Sequence, residues 1–184
     1  MANKVRFGLK NLYFAGITSA TTPTFGTPVA LPGAVSISLT PKGEQSDFYA
    51  DDGLYYTAAK NNGYDVELEI AEIPQAFLTA HLGFALDDQN NLVERDDDAA
   101  VPFVLLFEFD GDANATKHAL FNCKCTRPSQ EASTKTETAE PQTTKLSIVA
   151  SPLKNVVKIS STATTLNTTT WYTTVPFPDP IPSV

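Results

Sequence analysis

The chain has 184 residues, 42% of them hydrophobic and 18% charged, with a formal net charge of −8 at pH 7. That length and apolar content suit one globular domain with a real core, and no apolar run approaches the length of a membrane helix. The acidic balance argues against a surface that wraps nucleic acid, because neutralising phosphates takes basic residues.

The opening MANKVRFGLKN has no apolar signal core and is punctuated by Lys4, Arg6 and Lys10, so the protein is expected to be cytosolic when made. Val5, Phe7 and Leu9, continuing to Asn11 and Tyr13, alternate as a first strand, and the Thr, Gly and Pro content of Gly16 to Pro28 reads as a loop. Val35, Ile37 and Leu39 alternate with Ser36, Ser38 and Thr40, which predicts a half-buried strand with a small polar outer face.

From Pro41 to Gly63 the chain is long, acidic and aromatic: PKGEQSDFYADDGLYYTAAKNNG. A connection of this length is more often functional than idle. Phe48, Tyr49, Tyr55 and Tyr56 must pack somewhere, and two readings stay open. Either two short strands close over their own domain, or a protruding hairpin buries its aromatics in a neighbouring subunit.

Tyr64, Val66, Leu68 and Ile70 then alternate strictly with Asp65, Glu67 and Glu69, leaving a row of carboxylates on the outer face. Paired carboxylates serve glycosidases, but alternate residues on an open strand face are normally solvated and no other catalytic motif joins them. A single short helix follows, with Pro74 in its first turn, an apolar stripe of Phe77, Leu78, His81 and Leu82, and Gly83 at its end. His81 on that stripe reads as a packed core residue. Asp87, Asp88 and Asp96 to Asp98 flank a short NLVER strand as solvated turns.

Two apolar strands joined by FDGDANAT make the next hairpin. Matching apolar faces pairs Phe107 with Ala119, Leu105 with Phe121 and Phe103 with Cys123, which sets Glu108 opposite His118. Asp110, Asp112 and Asn114 carry the first ligand spacings of a calcium loop, but Ala115 replaces the required Gly and Phe121 the bidentate Glu, so a solvated turn is preferred. Cys123 and Cys125 fall on one strand face, too far apart for a relaxed disulfide, and read as buried reduced thiols. Gln130 to Thr144 is polar and Thr-rich. Leu146, Ile148 and Ala150 define one further strand and Val156, Val157 and Ile159 another. Beyond Ser160 the chain is Thr-rich, contains Trp171, and ends with prolines at 176, 178, 180 and 182, an extended arm that cannot join a sheet interior. The organisation is therefore one β domain over 1–162 and a Thr/Pro-rich arm over 163–184. No phosphate loop, nucleophile elbow, dinucleotide fingerprint or metalloprotease helix is present, so the chain is expected to be no enzyme, with no cofactor or metal.

Taken together, NKVRFGLKNLYFA, GTPVALPGAVSISL, YADDGLYYTAAKNNGYDVELEIAEIP, FVLLFEFDGDANATKHALFNCKCTRPS and EPQTTKLSIVASP resemble, in wording and order, the major tail tube proteins of siphophages, in the branch infecting Gram-positive bacteria. The resemblance covers most of the chain and is weakest after Ser160. It implies a mainly β fold of two packed antiparallel sheets, a sandwich or barrel, with one flanking helix near 74–82 and a long loop or hairpin at 41–63. It also implies hexameric rings that stack into a hollow tube through which phage DNA passes without specific binding. Partners are then other copies of the chain, the tape measure protein and tail-end proteins, in the virion tail after assembly in the host cytoplasm, with no membrane. The resemblance makes Phe48, Tyr49, Tyr55 and Tyr56 candidate inter-subunit anchors, with Asp51 and Asp52 between them, and Asp65, Glu67 and Glu69 candidate lumen-facing acids. The alternatives are a tube protein of a contractile tail or secretion system, a monomeric β-sandwich binding module (a virion decoration or carbohydrate-binding domain), and an acidic hydrolase.

Overall fold

The computed structural model describes residues 7–50, 52–110, 116–130, 142–161 and 168–178. The strands are β1 (Phe7–Ser19), β2 (Thr24–Phe25), β3 (Val29–Ala30), β4 (Ala34–Ala50) and β5 (Gly53–Ile70). After helix α1 (Gln75–His81) come β6 (Ala85–Leu86), β7 (Leu92–Val93), β8 (Phe103–Asp110), β9 (Lys117–Cys125), β10 (Thr144–Ala150) and β11 (Lys158–Ser160). Nine strands form one antiparallel sheet in the order β2-β1-β8-β9-β10-β5-β4, with β3 beside β1 and β11 beside β9, and β6 and β7 pair separately. The fold is thus mainly β with one flanking helix, as the sequence led us to expect. The layering comes from one open sheet wrapping a core. Leu12 and Phe14 of β1 share that core with Val66, Leu68 and Ile70 of β5 and with Phe77 of α1, although β1 and β5 stand far apart in the strand order.

The middle of the sheet is covered on both faces. Phe103, Leu105 and Phe107 point into the core under α1, and Val104 and Leu106 into a second cluster on the opposite face. That second cluster is completed by Trp171 and Val175, with Phe177 and Tyr172 packed against it. The described part of the C-terminal segment, 168–178, is therefore a cover on the sheet. Trp171 is 1% exposed, and Phe177 meets Phe25 and Phe121 with ring centroids 5.7 and 5.2 Å away. Its prolines do not pair in any ladder, consistent with their missing N–H groups.

The register of the β8–β9 hairpin corrects the face-matching expectation. Phe103 does stand opposite Cys123, but Leu105 pairs with Leu120, Leu106 with Ala119, Phe107 with His118 and Glu108 with Lys117. An extra residue on β9 causes the slip, and Asn122 there has φ 46°. The bulge sends Ala119 and Phe121 to one face and Cys123 and Cys125 to the other. The matching argument failed because both faces of β8 are apolar and buried, so hydrophobicity does not choose between registers. Asn tolerates the left-handed region better than most non-glycine residues. Asn11 in β1 does the same with φ 52°, which breaks the expected alternation between Leu9 and Tyr13. A third irregularity, at the start of β4, turns Val35 outward to 52% exposure, whereas Ile37 and Leu39 keep to the core side.

Elsewhere the elements fall where expected. α1 starts one residue later than its Pro74 first turn, with Pro74 as the N-cap, and Gly83 follows the helix at φ 83°. His81 is packed among Phe14, Phe77 and Phe103, with ring centroids 4.9 to 5.5 Å away. The turn residues 111–115 and most of the Thr-rich segment, 131–141, lie outside the described residues, as do 179–184.

Candidate interaction surface

β4 and β5 form one long hairpin, paired from Ala34 opposite Ile70 out to Ala50 opposite Gly53. β10 supports β5 only between Tyr64 and Ile70. Beyond that point neither strand has a third partner among the described residues. The eight β4 residues Gly43 to Ala50 thus carry the hairpin roughly 27 Å past the sheet, at about 3.4 Å per residue. Of the two readings left open for 41–63, the structure has the protruding hairpin, built as continuations of two long strands.

Its root is fixed by close contact. Lys42 stands opposite Gly63 but Gly43 opposite Asn61, so Asn62 is bulged. The Asn61 side-chain oxygen accepts the Gly63 N–H at 3.0 Å. Gly63 has φ 113°, and a Cβ there would lie 1.9 Å from the Ala150 carbonyl oxygen. The sequence NNG is therefore the bulge at which the hairpin leaves the part of β5 that β10 supports.

At the tip, Phe48, Tyr49, Tyr55 and Tyr56 are 59, 67, 73 and 63% exposed. Phe48 and Tyr55 touch each other edge to face at 6.4 Å, which covers little of either ring. Glu44, Asp47 and Asp52 are exposed beside them, Asp52 sits in the turn with φ 61°, and Asp51 lies outside the described residues. An isolated two-stranded ribbon is marginal in water, and this one presents aromatic rings that stay largely exposed among the described residues.

The acidic row is where the alternation put it. Val66, Leu68 and Ile70 are buried, and Asp65, Glu67 and Glu69 face outward between the Ser and Thr residues of β4 and Val149, Ser147 and Lys145 of β10. Its members differ. Asp65 pairs with Lys42 at 2.9 Å. Glu69 accepts from Thr143 at 2.5 Å and Ser36 at 3.1 Å, and those bonds, with Lys145 nearby, hold its carboxyl below the usual range. Glu67 has Ser38 and Ser147 opposite it and no cation in either neighbouring position.

Two features carried no sequence signal. A groove of about 510 Å³ opens at the hairpin root between Asn61 and Tyr64 of β5, residues 155–159 and Pro178 of the C-terminal segment, with the Lys158 ammonium 5.4 Å from the Tyr64 ring centroid. In addition, Glu108, only 4% exposed, holds Lys10 at 3.5 Å, Asn11 at 3.1 Å and the Tyr172 hydroxyl at 3.2 Å. The partners of both sites are brought together across long sequence separations, which local patterns do not encode. The two thiols are buried and free, and burial pushes both up to about 12, so they are inert as nucleophiles at neutral pH. Among the described residues no group of three His, Cys, Asp or Glu side chains could hold a metal ion, and no helix is long and apolar enough to cross a membrane.

No protein-family profile matches the sequence, and no curated protein is detectably similar to it. The fold, however, has solved counterparts. The tube-terminating cap of the anti-feeding prophage superimposes with a TM-score of 0.52 at 9% identity, over 88% of this chain and 95% of that one. A chain of the sheath–tube complex of an extracellular contractile injection system, PVC, in its extended state does so with a TM-score of 0.50 at 8% identity, over 85% and 91%. The chain therefore has a phage-like tail tube fold. The second counterpart comes from a contractile machine, so the likeness defines the fold class without selecting the non-contractile branch.

Proposed function

We propose that the chain is a structural subunit of a phage tail tube, and specifically the major tail tube protein of a long-tailed siphophage. In this reading subunits form hexameric rings, the rings stack, and DNA leaves through the hollow tube. The observation that carries it is the β4–β5 hairpin, a ribbon with four exposed aromatic rings on a tail tube fold. Buried aromatics dominate interface energies, and Phe48, Tyr49, Tyr55 and Tyr56, with Asp52 in the turn and Asp51 beside it, are the anchors this subunit offers to its neighbours. The outward row of Asp65, Glu67 and Glu69 supplies a lumen that repels phosphates. Such a subunit catalyses nothing and needs no cofactor; its remaining partners are the tape measure and tail-end proteins.

A second reading follows from the counterparts, one of which is a tube-terminating cap. A cap closes one ring and does not stack. Negative-stain microscopy of the purified protein tests both. Long tubes support the major subunit, isolated rings support a terminator, and a strict monomer at high concentration overturns both. Tyr55→Ser with Tyr56→Ser is expected to give a folded protein that forms neither, and normal tubes from that variant would remove the hairpin from the interface.

A further inference from the structure

Asn62 and Gly63 make the only Asn-Gly pair in the chain. In such a pair the glycine nitrogen is well placed to attack the preceding side-chain amide, because no Cβ shields it. Asn62 is the bulged residue of the hairpin root, half-buried and without a ladder partner, and its side chain forms no hydrogen bond among the described residues. The Gly63 nitrogen is held differently. Its N–H donates to the Asn61 side-chain oxygen at 3.0 Å. The Gly63 backbone is also pinned at φ 113° against the Ala150 carbonyl, which a Cβ would approach to 1.9 Å.

We propose that Asn62 is a site of spontaneous deamidation, held in check in the folded chain by Asn61. In the reaction the Gly63 nitrogen loses its proton to solvent and bonds to the side-chain carbonyl carbon of Asn62. Ammonia leaves, and a five-membered imide closes. Water then opens the imide at either carbonyl, giving aspartate or a β-linked aspartate whose main chain runs through Cβ. Attack requires the Gly63 nitrogen to leave Asn61 and the backbone at 62–63 to turn. The pairs Lys42–Gly63 and Gly43–Asn61 and the Ala150 contact oppose that turn. The reaction therefore runs through local opening of the root. The β-linked product adds a methylene to the main chain beside Gly63, which already lies against Ala150, so a chain that has reacted does not rebuild the same root. Deamidation is thus an irreversible record of root opening, and it goes beyond the tube reading without depending on it.

Peptide-mapping mass spectrometry follows the amide-to-acid mass change at Asn62 during incubation at mildly alkaline pH. Each folded rate is read as a ratio to that of the same chain in urea, which removes the intrinsic effect of the neighbouring residue. The wild type is expected to react far more slowly folded than in urea. Asn61→Ala removes the acceptor at an exposed position and should raise the folded ratio about tenfold, the change in opening that one hydrogen bond supports. Asn61→Asp keeps an acceptor oxygen and should stay near the wild-type ratio. Deuterium exchange at the Gly63 amide of the wild type reads the same guard without a substitution and should show protection. A folded wild type that deamidates as fast as the chain in urea, or a Gly63 amide that exchanges like a free peptide, overturns the proposal. So does an Asn61→Ala protein that is folded by circular dichroism yet reacts no faster than the wild type, or an Asn61→Asp protein that reacts as fast as Asn61→Ala.

Discussion

The Tyr172 hydroxyl donates to Glu108 Oε2 at 3.2 Å, tying the C-terminal cover to a central strand 64 residues earlier in the chain. The Tyr172 ring lies on Tyr13 at 4.8 Å, and the Lys117 ammonium sits over the Tyr172 ring at 5.2 Å from the centroid while donating to the Thr168 carbonyl. Burial, with the Glu108 charge beside it, raises the Tyr172 hydroxyl far above its usual range, so it keeps the proton that it donates to Glu108. Glu108 in turn is a buried carboxyl group whose oxygens are met by Lys10, Asn11 and Tyr172, the partners that a buried polar group needs. The segment is thus an integral part of the sheet's second face.

Tyr172→Phe removes one hydrogen bond to a charged acceptor, and should cost about 1.5–3 kcal/mol in urea unfolding. Trp171→Ala removes a side chain buried to 1% and should cost about 3–5 kcal/mol. A loss under 0.5 kcal/mol for Trp171→Ala would mean that the cover is not part of the cooperative unit.

What was legible in the sequence follows the physics of each strand. The Tyr64–Ile70 part of β5 is legible because one face is buried and the other charged, so alternation is unambiguous there. α1 was read from its stripe and its Pro and Gly punctuation. β8 has no such contrast, and the register that depends on it slipped at Asn122. Asparagines inside apolar strands were the available signal for bulges, at 11 and 122 alike. The prolines of 176 and 178 exclude ladder pairing but not packing, which explains why a covering segment looked like a free arm. The aromatic excursion could be flagged from composition, while the groove at its root joins residues from β5 and from 155–159 and has no local pattern.

Gly63→Ala tests the hairpin root. The new Cβ would meet the Ala150 carbonyl at 1.9 Å with φ at 113°, so backbone must move. The expected loss is about 1–3 kcal/mol of stability, with weaker hydrogen-exchange protection on both sides of the root. Gly53→Ala, at the far end of the same ladder, has open space around it and should fall within about 0.5 kcal/mol of wild type. Equal effects at the two sites would show that the close approach at the root is not real.

His81 makes stability depend on pH. Burial among aromatic rings lowers its pKa from the ordinary 6.5, with the Val101 carbonyl opposing in part. The unfolded chain then binds the proton first, so stability is complete above about pH 6.5 and falls as pH drops toward the lowered folded value. His81→Gln cannot titrate and should lose less stability between pH 7.5 and pH 5 than the wild type does. Parallel pH profiles for the two proteins would remove His81 as the source.

The acidic row gives the sharpest test of which way this face of the sheet looks in a tube. Asp65 is already paired with Lys42 and Glu69 is bonded to Thr143 and Ser36 beside Lys145, so Glu67 carries the charge that neighbours compensate least. It is exposed and packs against nothing in the core, so Glu67→Lys should leave the fold and the tube intact. On a lumen wall each subunit would then present a new cation to passing phosphates. DNA ejection from assembled phage should slow, and the difference should shrink as salt rises, because screening shortens the reach of each charge. On the outside of the tube the same substitution leaves the ejection rate unchanged at every ionic strength. Single-particle ejection kinetics at low and high salt separate the two orientations, and an unchanged rate would place the row outside.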